Sequence, residues 1–265
     1  MHQPNTFSVG QPGDLREQEA VPGASTPAPA FSPLYQQIKG LILKSLQAGE
    51  WKPSEMIPSE IEFAARYRVS QGTVRKAIDE LAAENLLMRR QGKGTFVATH
   101  NETQTLFRFL RLLPDHGEQE YPASKLLECR RGRASAEAAR VLEIKTGDAV
   151  VILRRLLIFC GAPTVIDEIW LPGNIFRKLT AETFNAYKGS LYKLFETEFG
   201  TRMIRAEEKI RAVPAGKTEA DLLGVASGYP LLSVERVTFT YGDKPAEWRR
   251  GLYLTTSHYY SNKLG

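Results

Sequence analysis

Residues 69–97 read VSQGTVRKAIDELAAENLLMRRQGKGTFV and predict one amphipathic helix followed by a short glycine turn. Ser70 stands where an N-cap residue belongs, so the first free amides of the helix and their partial positive charge point the same way as Gln71 and Thr73. The apolar side chains recur at helical spacing and fall within an arc of roughly 100° on a helical wheel, the width of one buried face; they are Val74, Ala77, Ile78 and Leu81.

A second, shorter helix is predicted just upstream, in PSEIEFAARYRVS (58–70). Its apolar residues Ile61, Phe63 and Ala64 are expected to pack on the first helix. Two helices joined by about three or four residues form a helix-turn-helix, whose second member enters the major groove of DNA. Downstream, MRRQGKGTFV (88–97) predicts two short strands around a glycine turn, the wing of a winged helix.

Length, charge and cysteine usage limit the remaining possibilities. The chain has 265 residues, which is enough for two modest domains with separate cores. Its net charge of +5 is only mildly basic, which is compatible with a nucleic-acid partner without requiring one. The two cysteines, Cys129 and Cys160, lie far apart and are interpreted as reduced thiols of a cytosolic protein.

The first thirty residues are rich in Pro, Gly, Gln and Ser and contain no apolar run. Such a segment cannot bury enough surface to offset its ordering entropy, so 1–30 is predicted to be a disordered leader. It also lacks the basic start and apolar stretch of a secretory signal. Elsewhere, apolar runs such as AVVIL (149–153) fall far short of the roughly 20 residues of a membrane span. A cytoplasmic protein without a membrane partner is expected.

From about residue 145 the pattern changes to apolar runs separated by turns. The runs 149–159 and 164–172 flank GAP (161–163), and the runs 230–241 and 246–255 flank GDKP (242–245), as expected for paired strands. Helical pieces are predicted around 134–142 and 190–199. The resulting division is a winged helix at 31–98, a linker at 99–118 and a second domain at 119–265.

The segment LYQQIKGLILKSLQAGEWKPSEMIPSEIEFAARYRVSQGTVRKAIDELAAENLLMRRQGKGTFV (34–97) resembles the winged helix of GntR-type bacterial transcription regulators nearly end to end. GAPTVIDEIWLP, GSLYKLFETEFG and PLLSVERVTF resemble the UTRA ligand-sensing domain of the HutC subfamily. The resemblance implies an α+β chain: an N-terminal winged helix-turn-helix joined to a chorismate-lyase-like antiparallel sheet domain with flanking helices. It further implies a homodimer that binds palindromic double-stranded operator DNA and a small-molecule effector, most often as a repressor. The dimer contact is expected in 119–265.

The resemblance assigns DNA contacts to both helices of the motif and to the wing tip: Ser59, Ser70, Gln71, Thr73, Arg75, Lys76, Gln91, Gly92 and Lys93. Members of the family commonly carry arginine where this chain has Gln71. They often carry arginine or another polar residue where it has Ile61. A half-site different from the family's usual one is therefore expected.

The same resemblance, aligned on Gly161 and Pro163, assigns the effector contacts to six residues of the second domain: Arg155, Asp167, Ser190, Tyr192, Glu247 and Tyr253. A second basic position of the family, two residues after Arg155, is Leu157 here. This departure argues against a phosphate ligand and favours a carboxylate-bearing metabolite.

Other classes of function find less support in the residues. Gly92–Thr95 lacks the spacing of a phosphate-binding loop and does not lead from a strand into a helix. A lyase-like enzyme remains the alternative because fold does not settle function, yet Asp167 and Glu168 would face opposite sides of a strand. The four histidines show no paired metal spacing. A DNA-binding protein without an effector is a third possibility. No catalytic residue, cofactor or metal is predicted.

Overall fold

The computed structural model of the chain describes residues 32–99, 109–119 and 121–262. The predicted leader, 1–30, and residues 100–108 of the predicted linker lie outside these ranges. Among the helices within these ranges, none combines the length and apolar character needed to cross a bilayer.

The N-terminal part folds as three helices and a two-stranded wing, of which the second and third helices and the wing are the predicted ones. Its core is built from one face of each helix and the first residues of the wing, including the fully buried Ile42, Phe63 and Ile78. The two strands pair in antiparallel register from Leu87↔Val97 to Arg90↔Gly94. The elements are α1 (Leu34–Gln47), α2 (Glu60–Tyr67), α3 (Gln71–Ala83), β1 (Leu87–Arg90) and β2 (Gly94–Val97).

The turn between α2 and α3 follows from its capping residues. Ser59 and Glu62 form a reciprocal capping box at the start of α2, and the side chain of Ser70 accepts a hydrogen bond from Thr73 N at 3.2 Å. Arg68 ends α2 in the left-handed region at φ 55°, which turns the chain toward α3. The buried face of α3 consists of the four predicted residues.

The expected packing of Ile61 on α3 is wrong. Ile61 is 68% exposed, whereas Phe63 is fully buried and Ala64 is partly buried against the core. A helix advances about 100° per residue, so a residue two positions before Phe63 faces nearly the opposite side. Ile61 therefore belongs to the outer surface of α2.

The C-terminal part is built on one six-stranded antiparallel sheet with the order β4-β5-β6-β9-β8-β7. Cys160 and Gly161 form the turn between β5 and β6, so the turn lies one residue earlier than the predicted GAP, whose last two residues begin β6. The predicted GDKP turn contributes to the connection between β8 and β9. These hairpins place β5, β6, β8 and β9 in the middle of the sheet. The strands are β4 (Ala123–Arg133), β5 (Ala149–Phe159), β6 (Ala162–Pro172), β7 (Arg205–Pro214), β8 (Pro230–Thr240) and β9 (Lys244–Tyr253).

Helices flank this sheet, and the two predicted ones are confirmed. A core that includes Leu153, Ile169 and Phe195 lies between the sheet and the helices that follow β6. The predicted linker contains a strand of its own, because β3 (Leu112–Pro114) pairs with β10 (His258–Tyr260). The flanking helices are α4 (Ala136–Leu142), α5 (Gly173–Phe176), α6 (Ala181–Ala186), α7 (Leu191–Phe199) and α8 (Lys217–Leu223).

Candidate functional site

The N-terminal end of α3 presents a polar surface beside the wing. Gln71 and Arg75 are exposed on the first turns of α3. Thr73 is half-buried, and its hydroxyl lies 2.8 Å from that of Ser70. Ser59, at the start of α2, is also exposed. The free amides of two helix starts therefore lie next to side chains that can donate to phosphates or bases.

The wing ends in an exposed turn formed by Gln91, Gly92 and Lys93. Lys93 N donates to the carbonyl of Arg90 at 2.9 Å, and Gly92 adopts φ 70°, a conformation that side chains disfavour. The predicted wing contacts thus share one tip. Lys76 points elsewhere, since its ammonium lies 3.9 Å from the ring centroid of Tyr35 on α1.

One residue of this surface, Glu60, was not predicted from the sequence. Glu60 accepts hydrogen bonds from Gln71, Arg75 and Arg89, which brings residues of α2, α3 and β1 to one point. The sequence signal was present only as the acidic first residue of α2, which is common at helix starts.

A cavity of about 530 Å³ lies between the sheet and the α6–α7 region. This volume is within the range of small-molecule sites. Ser190, the N-cap of α7, and Tyr192 form part of one wall, while Arg155 from β5 and Tyr253 from β9 belong to the sheet wall. The cavity therefore brings together four of the six predicted effector residues.

Alternation along β9 explains the sheet wall. Glu247, Arg249, Gly251 and Tyr253 follow every second position and so share one face of the strand. Gly251 leaves room for its neighbours, because a Cβ there would lie 2.4 Å from the Tyr253 ring and 3.2 Å from Asp167 Oδ1. The glycine permits a charged residue and an aromatic ring to crowd the same face.

Asp167 organises two of the cavity arginines. Asp167 Oδ2 accepts from Nε and Nη2 of Arg155 at 3.0 and 2.7 Å and from Nη1 of Arg249 at 3.1 Å. Arg155 and Asp167 are direct partners across β5 and β6, which sets this contact by sheet register. Asp167 is fully buried, and both arginines are below 8% exposed.

A second carboxylate completes the network behind the wall. Glu247 Oε1 accepts from Arg249 Nε at 2.7 Å and from the Tyr192 hydroxyl at 3.1 Å. Burial alone would raise the pKa of Asp167, but the charges of Arg249 and Arg155 outweigh it and lower that pKa. Burial, followed by the charge of Glu247, raises the pKa of Tyr192. Asp167 thus stays charged and Tyr192 stays neutral near pH 7.

The predicted effector residues occupy two layers. Asp167 and Glu247 lie behind the wall, where they hold arginines, and they do not line the cavity. Neither Arg249 nor Arg236 was assigned a role from the sequence. Arg236 is 2% exposed and donates to Glu208 Oε1 at 2.6 Å. Period-two alternation could have placed Arg249 on the face of Tyr253.

The cavity wall is basic. The described residues that line it include the guanidinium groups of Arg155, Arg236 and Arg249 and the ammonium group of Lys188, with no acidic side chain among them. The carboxylates that balance these charges lie behind the wall. Such a wall favours an anionic ligand.

Comparison with known proteins places this geometry in a family. The model of bacterial regulatory proteins of the gntR family matches residues 34–97, and the UTRA domain model matches residues 118–259. The chain belongs to the gntR family. It is a transcription regulator that joins a DNA-binding helix-turn-helix to a UTRA ligand-binding domain.

Relatives of this GntR-family chain carry the names of repressors. It is 30% identical over 213 residues to a protein of Escherichia coli (strain K12) named as a fructoselysine utilization operon transcriptional repressor, covering 80% of this chain and 86% of the relative. It is 27% identical over 233 residues to the histidine utilization repressor of Pseudomonas putida, covering 86% and 90%.

A solved structure supports the second domain most directly. The ligand-binding domain of a GntR-family transcriptional regulator from Bordetella bronchiseptica is 56% identical, with a TM-score of 0.59. The match covers 60% of this chain and 98% of that structure. The sheet domain is thus a ligand-binding domain of the GntR type.

One helix of the GntR-family chain touches both the cavity and the segment that follows the wing. Glu196, near the end of α7, accepts from Thr99 Oγ1 at 2.8 Å, and its other oxygen lies 3.7 Å from Arg202 Nε. Arg202 donates to the backbone carbonyls of Asn85 and Leu86 at 2.6 and 3.2 Å. Glu196 and Arg202 are at most 5% exposed. We call Thr99, Glu196 and Arg202 the junction.

Proposed function

We propose that the protein is a cytoplasmic, homodimeric repressor that binds a palindromic operator and is released when a small carboxylate-bearing metabolite enters the cavity. The basic, partly apolar cavity is the observation that carries this proposal. Its guanidinium groups suit a carboxylate, because planar N–H pairs match the two carboxylate oxygens. Leu157 also lines the cavity. It supplies apolar surface at the position where the family resemblance implies a basic residue.

The class of regulated genes follows from the relatives. The names of the Escherichia coli and Pseudomonas putida relatives refer to utilization of a nutrient. By analogy, the proposed targets are genes that import or degrade the metabolite that fills the cavity. This analogy concerns the type of operon and leaves the chemical identity of the metabolite open.

Operator binding is assigned to the polar end of α3 and the wing tip. A single winged helix presents a small surface, so specific binding is expected from two copies on a palindrome whose symmetry mirrors the dimer. The dimer contact is assigned to the C-terminal domain, where the edge strands β4 and β7 have many exposed residues.

Signal transfer is assigned to α7 and the junction. The cavity contacts Ser190 and Tyr192 at the start of α7, and Glu196 and Arg202 hold the chain that follows α3. Effector binding can shift DNA affinity only if it favours one arrangement of this junction over another. Couplings of this kind typically amount to about 1–3 kcal/mol.

A two-step experiment tests the proposal. The full chain is first used to select duplexes from a random pool, and the selected operator is then titrated against a panel of carboxylate, phosphate and uncharged metabolites. We expect one carboxylate-bearing compound both to raise the melting temperature and to release the operator. Selection of no sequence, or chemical conversion of a compound without any effect on DNA binding, would contradict the proposal.

The assembly is tested separately. A fragment starting at residue 109 keeps β3 with its partner β10 and should remain a dimer by light scattering at micromolar concentration. A monomeric fragment alongside a dimeric full chain would move the dimer contact to the N-terminal part.

A further inference from the structure

One carboxylate joins three elements of the proposed operator-binding surface. Glu60, the first residue of α2, accepts hydrogen bonds at Oε2 from Gln71 Nε2 at 3.1 Å and from Arg75 Nε at 3.0 Å. Its Oε1 accepts from Arg89 Nη1 at 3.0 Å. Gln71 and Arg75 belong to α3 and Arg89 to β1. We call these four residues the Glu60 cluster.

Glu60 is the fixed member of the cluster. Its side chain is 14% exposed, whereas those of Arg75 and Arg89 are 58% and 42% exposed. The Ser59 capping box holds the backbone on which Glu60 stands. Burial raises the pKa of Glu60, but hydrogen bonds from Arg89, Arg75 and Gln71 outweigh it and lower that pKa. A charged, largely buried acceptor thus faces two more exposed cations.

The two arginines are held differently. Arg75 uses only Nε toward Glu60, and within the described part of the chain its terminal nitrogens have no hydrogen-bond partner. That outer edge is free to donate to guanine O6 and N7. Arg89 is bound at both ends, because Nη2 donates to Asp79 Oδ1 at 2.7 Å. Arg89 therefore braces the wing against α2 and α3.

The orientation of Gln71 also depends on Glu60. A carboxylate only accepts hydrogen bonds, so Gln71 must turn its amide nitrogen toward Glu60 and its Oε1 away. An outward carbonyl oxygen pairs with the amino group of adenine N6 or cytosine N4 in the major groove. Without Glu60 the amide could rotate and present either atom.

The same negative charge opposes general DNA affinity. DNA binding without sequence preference comes mainly from cations that neutralise phosphates. Glu60 neutralises part of the charge of Arg75 and Arg89 and repels phosphates itself. Glu60 therefore orients side chains toward the bases while it weakens contacts with phosphates. Such a residue affects discrimination between DNA sequences more than overall affinity for DNA.

We propose that Glu60 is a positioning residue that sets the sequence discrimination of this regulator by orienting Gln71, Arg75 and Arg89 for the operator. The proposal rests on the operator binding proposed above. It adds a residue that contacts no base itself and works through three that lie on the DNA-facing surface.

The test compares Glu60→Gln with Glu80→Gln. Each removes one negative charge from the same domain, but Glu80 pairs with Lys39 of α1 at 3.0 Å, outside the cluster. Dissociation constants are measured for the selected operator and for a scrambled duplex at several salt concentrations. For Glu60→Gln we expect the dissociation constant for scrambled DNA divided by that for the operator to fall about tenfold, which is the expected scale for a lost base contact. For scrambled DNA, the slope of the logarithm of the binding constant against the logarithm of the salt concentration should become steeper by about one unit. Glu80→Gln should keep the wild-type ratio.

A double-mutant cycle separates positioning from a fold defect. Melting temperatures identify loss of folding, and in an Arg75→Ala background Glu60→Gln should cost much less discrimination than in the wild type. A folded Glu60→Gln protein with the wild-type ratio, or equal losses in both backgrounds, would overturn the proposal. If Glu60→Gln does not fold, Glu60→Asp keeps the charge with a shorter reach, and an unchanged ratio there would overturn it equally. A wild type that selects no sequence would instead contradict operator binding itself.

Discussion

Arg202 donates a hydrogen bond of 2.6 Å from Nη2 to the backbone carbonyl of Asn85, 117 positions earlier in the chain. Asn85 adopts φ 57° immediately after Glu84, the residue that caps α3. A buried arginine of the ligand-binding domain therefore holds the exit of the helix proposed to enter DNA. Ile204 and Tyr241 also pack against the winged-helix core.

Arg202→Ala should weaken communication between the two domains. The variant loses the contacts to Asn85 and Leu86, so effector binding by calorimetry should persist while operator release shrinks from the wild-type extent. Arg205→Ala is the control, because Arg205 lies three residues on and makes exposed ion pairs with Asp243 and Glu207. If Arg202→Ala releases the operator fully at the effector concentrations that suffice for the wild type, Arg202 does not transmit the signal from the cavity to the DNA-binding domain.

Asp167 should make stability depend on pH in acid. Its pKa is lowered in the folded protein, because the charges of Arg249 and Arg155 outweigh the effect of burial. Its stabilising contribution is therefore complete above the unfolded pKa of about 4 and is lost as pH falls through the lower folded value. Urea unfolding midpoints between pH 6 and pH 3 should fall less steeply for Asp167→Asn than for the wild type.

The control for this measurement is Glu168→Gln, which removes the neighbouring carboxylate from the other face of β6. Other carboxylates with a lowered pKa, such as Glu60 and Asp243, contribute equally to all three proteins. Parallel pH profiles for wild type and Asp167→Asn would show that Asp167 contributes nothing to acid sensitivity.

Gln71→Arg should change the preferred base. Glutamine pairs best with adenine and arginine with guanine, and Gln71 is exposed at the start of α3. Selection from random duplexes should return motifs that differ at one position of each half-site, with guanine favoured by the variant. Identical motifs from both proteins would place Gln71 outside base recognition.

Local patterns predicted the fold because they are set by neighbouring residues. The face of α3 and the Ser70 cap follow from helical spacing, and the hairpins follow from their turn residues. Ile61 was misplaced because an apolar side chain was assumed to be buried without following the helix turn from Phe63. The β3–β10 pair joins residues far apart in sequence, which no local pattern reveals.

The site was predictable only where the resemblance supplied positions. Arg155, Ser190, Tyr192 and Tyr253 line the cavity, but the sequence could not show that Asp167 lies one layer behind Arg155. That layering depends on sheet register and on the space left by Gly251. The Glu60 cluster and the junction were missed because each joins side chains from separate elements. The roles of all these residues remain predictions.

The most direct test of effector control is a dose–response curve for operator release, measured by fluorescence anisotropy, with Arg155→Ala and Arg154→Ala beside the wild type. Arg155 lines the cavity, whereas Arg154 lies on the other face of β5 with its guanidinium 3.7 Å from Glu219. We expect Arg155→Ala to bind the operator like the wild type without effector but to lose both operator release and thermal stabilisation by the metabolite. Arg154→Ala should respond normally. Superimposable curves for wild type and Arg155→Ala would contradict the assignment of this cavity as the effector site.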